Sequence, residues 1–116
     1  SMIKSTIQKQ LLKILKSSHK TAIIVTHDAN EAMALSDKII YLEEGKIVQY
    51  DTPENIYKHP NSKQVASSFG TASFITKDEK TYCVRPTKIS FDKDGTDKAY
   101  IISKLYQGDK YIYEIN

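Results

Sequence analysis

The stretch TAIIVTHDANEAMALSD, Thr21 to Asp37, decides how the chain is read. Four apolar residues, Ala22 to Val25, stop abruptly at Thr26, His27 and Asp28. An all-apolar run of this kind predicts a strand covered on both faces, as in a parallel sheet with a helical crossover nearby. Asp28 fits the residue that caps a helix, with Glu31 three positions on, a capping box with aspartate in the serine's place. The helix is expected to run to about Leu35 and to break at Ser36-Asp37. His27 therefore falls at the carboxyl end of a strand, where open α/β sheets place their ligands.

Upstream, Ile3, Ile7, Leu11, Leu12, Ile14 and Leu15 lie close to one helical stripe over Ile3–Ser17, ended by Ser18-His19-Lys20. Downstream, Lys38–Leu42 and Lys46–Tyr50 predict two strands joined by the tight turn Glu43-Glu44-Gly45. Asp51-Thr52-Pro53-Glu54 is a strong helix start, with a capping residue before Pro in the first turn. His59-Pro60-Asn61 stops that helix, and a second short one over roughly Ser62–Phe69 ends at Gly70. Helix, strand, helix, hairpin, helix, helix reads as the tail of an α/β domain.

After Gly70 the texture becomes all-β. Thr81–Val84, Lys88–Phe91, Ala99–Leu105 and Lys110–Ile115 are short runs rich in Tyr, Ile and Thr, with turns at Asp92-Lys93-Asp94-Gly95 and Gln107-Gly108-Asp109. A β segment of this size is marginal alone and calls for a partner surface. The expected class is α/β over residues 1–70, then a small all-β region over 71–116, α+β overall.

With 116 residues, 40% hydrophobic and 27% charged, the chain suits one compact domain or two small pieces. No apolar run approaches the ~18 residues of a membrane span, and the start carries no signal-peptide pattern. Ser1-Met2 reads as a cloning scar. The lone cysteine, Cys83, excludes an internal disulfide and is expected to be an inert buried thiol in a reducing cytoplasm. A net charge of +3 without a basic cluster points to no particular anionic partner.

The residues IIVTHDANEAMALSDKIIYLEEGKIVQYDTPENIYKHPNSKQVASSFG (23–70) resemble the carboxyl-terminal part of the ATP-hydrolysing subunit of bacterial ABC importers. In that family an apolar strand ends in Thr-His-Asp and a helix with Glu-Ala follows. A hairpin with a Gly turn, a Thr-Pro helix start and a final Phe-Gly come next, and all appear here in order. Ile3–Leu15 resembles the helix beyond the Walker B and D-loop segment. CVRPTKISF (83–91) and AYIISKLYQGDKYIYEI (99–115) resemble the oligonucleotide-binding-type (TOBE-like) regulatory domain appended to importer subunits for sugars, polyamines, ferric iron and oxyanions. There the family has Glu after Arg-Pro, where this chain has Thr87. FGTASFI (69–75) is closer to the junction of ferric-iron and polyamine importers than to that of sugar importers.

The resemblance implies a role for His27 as the switch that senses the ATP γ-phosphate and orients the attacking water. From the residues alone the favoured reading is a half-exposed histidine capping a strand. For Asp28 the helix cap is the primary reading, and the resemblance adds a contact to the D-loop across a nucleotide-binding dimer. Glu31 fits the capping box, since the family's base lies at the end of the Walker B strand. Arg85 could hold an anion or regulatory ligand, but a structural ion pair is the favoured reading. Tyr100, Tyr106, Tyr111 and Tyr113 with Lys104 and Lys110 fit the half-buried face of a sheet, so no nucleic acid is expected. No His, Cys or carboxylate spacing suggests a metal site.

The phosphate loop Gly-x-x-x-x-Gly-Lys-Ser/Thr, the Leu-Ser-Gly-Gly-Gln-type signature and a Walker B Asp-Glu pair do not occur. The chain reads as a fragment of a longer subunit, with no tightly bound cofactor of its own. The resemblance implies that the complete subunit uses ATP and Mg, pairs with a second copy and with membrane permease subunits, and works at the cytoplasmic face of the bacterial plasma membrane. The competing reading is a stand-alone regulatory or ligand- or oligonucleotide-binding β-module, which strong, salt-sensitive binding of single-stranded DNA would favour. A strand at 21–25 without its sheet would leave open edges, so the chain is expected to form a dimer or swapped assembly. Sedimentation at high concentration checks this, and a monodisperse monomer counts against it.

Overall fold

The computed structural model describes residues 2–116, with side chains from Thr6 onward. It is an α+β arrangement of short helices and two-stranded antiparallel sheets. By contact the chain falls into one unit running to Pro86 and a second over Thr87–Asn116. That division lies beyond the change of sequence texture at Gly70.

Helix α1 (Met2–Ser18) ends as anticipated, with Lys16 in its last turn and His19 at φ 52° just beyond it. The expected strand at 21–25 is not formed. Lys20 to Thr26 carry no regular structure, and Ile23 and Val25 are 91% and 94% exposed. A strand exists only through its ladder, and no described segment pairs with these residues, so a strand-like composition is left without a sheet. Helix α2 (Ala29–Leu35) follows as read, with Asp28 at φ −95° and ψ 109° as its cap.

Strands β1 (Ile39–Glu43) and β2 (Lys46–Asp51) form the predicted hairpin. Glu44 and Gly45 at φ 49° and 74° make the turn, the double positive φ that matches the right-handed twist of the strands. A register irregularity between Tyr41 and Leu42 leaves Tyr41 opposite Gln49 and Leu42 opposite Ile47. One face, with Ile39 and Tyr41, looks onto the core. The opposite face, Ile40, Leu42, Ile47 and Tyr50, is exposed.

The core is set by two short helices, α3 (Pro53–Lys58) and α4 (Lys63–Ser68). Thr52 Oγ1 accepts from the Asn55 N–H at 3.2 Å, with Pro53 in the first turn. Ser62 Oγ accepts from the Val65 N–H at 3.2 Å. These caps satisfy N–H groups that a helix cannot pair internally. Ile56 and Val65 are fully buried, with Ile39 and Phe69 beside them, and Ala29, Ala32 and Met33 of α2 pack on the same cluster. Buried Gln49 locks the helix connection to β2. Its Nε2 donates to the His59 carbonyl at 3.1 Å, and its Oε1 accepts from the Asn61 N–H at 2.8 Å.

Strand β3 (Ser73–Lys77), where no strand is expected from the sequence, pairs with β4 (Lys80–Val84) through Asp78 and Glu79 at φ 52° and 63°. A turn of two acids, with no glycine, hides this hairpin. The strand expected over Lys88–Phe91 is absent. A 3-10 turn occupies Pro86–Lys88, where Pro86 has no N–H to give a ladder. Strands β5 (Ile101–Tyr106) and β6 (Tyr111–Ile115) match expectation closely and join through Gln107 to Lys110, with Gly108 at φ 79°. Tyr100 and Asn116 extend the ladder by exchanging hydrogen bonds of 3.2 and 3.0 Å.

Two measurements follow from this packing. Ile56→Ala, at 0% exposure, should cost about 2–5 kcal/mol of unfolding free energy in urea titration of the chain. Asp51 should give an acid-side dependence. Hydrogen bonds from Asn55 Nδ2 at 3.1 Å and the Thr52 N–H at 2.9 Å hold its carboxyl below the usual 3.8. A depressed folded-state pKa means the contribution is present above the unfolded value and is lost as pH falls below about 4. Asp51→Asn should flatten that fall in a series of thermal melts from pH 7 to 3.

Candidate functional site

His27 sits on a bend and is exposed, between the unpaired stretch 20–26 and the cap of α2. Its position is set from the carboxyl side. Asp28 Oδ1 accepts from the Asn30 and Glu31 N–H groups at 2.9 and 3.2 Å, and the Asp28 N–H donates to Thr26 Oγ1 at 3.0 Å. These bonds fix the backbone on both sides of the imidazole, and α2 is anchored in turn by Ala29, Ala32 and Met33 on the core. The capping role of Asp28 read from the sequence is thus present, and Thr26 is structural as expected. An exposed imidazole on a fixed bend can present a ring N–H to an anion.

Arg85 lies far from that tip in sequence and is buried, 7% exposed. Among the described residues its contacts are with carbonyls and a ring, in place of the ion pair expected for it. Its guanidinium donates to the carbonyls of Tyr57, Ala66, Gly70 and Thr71, and it stacks 4.2 Å from the centre of the Tyr57 ring. Each of its three nitrogens thereby donates to at least one carbonyl. Tyr57 was not singled out in the sequence, and no local signal marks it, since its partner is 28 residues away.

Cys83 is exposed, which corrects the expectation of a buried thiol. Cys83 does lie within strand β4, but the hairpin β3–β4 has little covering it, so its place in a strand does not bury it. The tyrosines also depart from a half-buried face. Tyr100, Tyr106, Tyr111 and Tyr113 are all exposed. Lys104 lies 4.3 Å from the Tyr111 ring centre, and Tyr106 and Tyr111 approach to 5.0 Å across the ladder, so the rings pack mostly on one another and on Lys104. Among the described residues no cluster of His, Cys, Asp and Glu could hold a metal ion, and no helix is long and apolar enough to cross a membrane. Toward ATP and Mg the described residues present the exposed imidazole of His27 on a fixed bend, and no phosphate-loop motif occurs in the sequence.

A histidine at the head of a capped helix, a Gly-turn hairpin and a Thr-Pro helix start ending in Phe-Gly make this chain a relative of the ATP-binding subunits of bacterial ABC importers, and comparison with known proteins agrees. It is 35% identical, over 97% of its length, to 31% of a spermidine/putrescine import ATP-binding protein PotA of Mesomycoplasma hyopneumoniae. The proteins of the same name in Mycoplasma genitalium (33% identical, 90% of this chain, 19% of that protein) and Borreliella afzelii (42%, 63% and 21%) are similar as well. The chain thus spans a third or less of the length of these relatives. No protein-family model matches it.

Loss of the cap provides a direct check on how the tip is held. Asp28→Ala should destabilise the chain by about 1 kcal/mol. Amide exchange should quicken first at Asn30 and Glu31, whose N–H groups lose their acceptor, and leave Ile56 and Val65 protected.

Proposed function

We propose that this chain is part of the ATPase subunit of a polyamine importer and carries the histidine switch of its nucleotide site. The observation that carries the reading is the match along 97% of the chain to a relative named for spermidine/putrescine import and ATP binding. In this reading residues 1–70 are the carboxyl-terminal part of the nucleotide-binding domain and 71–116 part of the TOBE-like regulatory domain. His27 donates a ring N–H to the γ-phosphate, whose charge spreads in the transition state, and orients the attacking water. Asp28 caps α2 and meets the D-loop of a second copy. The complete subunit uses ATP with Mg, forms a homodimer, and couples to permease subunits at the cytoplasmic face of the membrane. Arg85 acts in regulation through its hold on β3–β4.

The uncovered surfaces support this reading. The exposed run Ile23–Val25 and the outer face of β1–β2 are apolar, and singly scattered apolar residues would need no explanation where such contiguous ones do. We propose that they are covered by the segments that the longer relatives carry beyond the match. The independent β-module has no comparable support.

The test uses the complete subunit that contains this chain. His27→Ala should lower ATP turnover by about a hundredfold or more, the loss expected when a donor to transition-state charge is removed. The melting temperature should hardly move, because the side chain is exposed. Uptake of labelled spermidine should fall with turnover. Near-normal hydrolysis in this variant would overturn the switch role, and uptake of ferric iron in place of polyamine would overturn the substrate.

A further inference from the structure

We propose that the carbonyl oxygens of Tyr57, Ala66, Gly70 and Thr71, with the Tyr57 ring, form a preformed guanidinium site. Arg85 fills it as a tethered ligand, and its seating is the latch that holds hairpin β3–β4 to the helix pair α3–α4. The inference does not depend on the transport reading.

The oxygens come from the places where helices leave carbonyls unpaired. Tyr57 lies in the last turn of α3, and the Asn61 N–H that a longer helix would offer it goes to Gln49 instead. Ala66 lies in the last turn of α4, and Gly70 and Thr71 follow the end of that helix. Two helix ends, each carrying partial negative charge, therefore converge on one point. Arg85 Nη2 donates to the Tyr57 oxygen at 2.8 Å and Nε to the same oxygen at 3.3 Å. Nη1 donates to Ala66 at 2.9 Å and to Gly70 and Thr71 at 3.2 Å each.

This geometry selects the guanidinium over other cations. A planar fork with five donors can reach four oxygens while lying against an aromatic ring, and it is more weakly hydrated than an ammonium. A lysine ammonium has three donors, binds water strongly, and cannot stack. The cradle is also close-fitting. A Cβ added at Gly70 would come within 3.2 Å of the Tyr57 ring and 3.6 Å of Arg85 Nη1.

Neither wall of the cradle relies on Arg85 for its position. Ile56, Val65, Ala66 and Phe69 are buried in the core, and Gln49 bonds both the His59 carbonyl and the Asn61 N–H between the helices. The hairpin, in contrast, is mostly exposed, and it also meets the helix pair where Lys63 Nζ lies 5.3 Å from the Phe74 ring centre. Of Ser73–Val84 only Phe74 and Val84 are even half-buried. Removal of Arg85 should therefore free the hairpin and leave the helices in place.

Amide exchange on the full chain tests this. Arg85→Ala should speed exchange across Ser73–Val84 at least tenfold, with Ile56 to Phe69 unchanged. Guanidinium at tens of millimolar should restore part of the protection, while sodium chloride at equal ionic strength should not. Arg85→Lys should resemble Arg85→Ala. Wild-type exchange in the hairpin of Arg85→Ala would overturn the latch. Equal rescue by sodium chloride, or wild-type behaviour of Arg85→Lys, would overturn the guanidinium selectivity. Loss of protection in α3 and α4 as well, or failure of the variant to fold, would overturn preformation.

Discussion

Burial of Ile56 and Val65 is the constraint on which the rest of the first unit depends. They sit in helices of six residues each, far below the length at which a helix persists in water on its own. Such helices exist because their apolar side chains leave water together, against Ile39, Tyr41 and Phe69. The caps at Thr52 and Ser62 then remove the cost of unpaired N–H groups at each start. The same cluster seats α2 through Ala29, Ala32 and Met33, and so determines where the bend with His27 stands. It also brings the ends of α3 and α4 close enough for one guanidinium to serve both.

What could be read from residues and what could not divide along the range of the interactions involved. The caps at Asp28 and Thr52 and the turn at Glu44-Gly45 act over three or four residues, and their chemistry was legible. The turn at Asp78-Glu79 is just as local, but it adopts positive φ without glycine or asparagine, so nothing marked it or the strand before it. The segment Thr21–Val25 failed for the opposite reason. Its composition is that of a strand, but a strand is made by its neighbours, and composition cannot report whether those are present. Arg85 likewise could be noticed as a charged residue among strands. Its partners, four carbonyls up to 28 residues away, could not be inferred from any spacing. The family resemblance, by contrast, was carried by the order of local signals, which is why it was accessible when individual contacts were not.

Several elements are covered on one face at most. The β1–β2 hairpin buries Ile39 and leaves Ile40, Leu42 and Ile47 in water, and β5–β6 keeps nearly all its side chains exposed. Two-stranded sheets are marginal by themselves, so these hairpins gain most from any surface laid against them. The second unit supplies a little of its own cover: Phe91 meets Tyr113 edge-on at 5.7 Å, and Lys104 lies over Tyr111. Aromatic contacts of this kind contribute on the order of 1 kcal/mol each, enough to bias a hairpin but not to replace a core.

The histidine at the tip shows how far local geometry carries a functional argument. Its backbone is held by the Asp28 and Thr26 bonds, and its ring is open to solvent, which is what either a solvated cap residue or a phosphate sensor requires. No bond within the chain separates the two. The proposed sensor role rests on the neighbours it keeps in sequence, the capped helix, Gly-turn hairpin and Thr-Pro start that carry the family resemblance. A sensor also needs a fixed backbone more than a fixed ring, since the ring must answer to the ligand. The cap at Asp28 provides that fixity without touching the imidazole. The two roles first weighed against each other for this pair of residues are thus complementary, with Asp28 setting the position from which His27 would act.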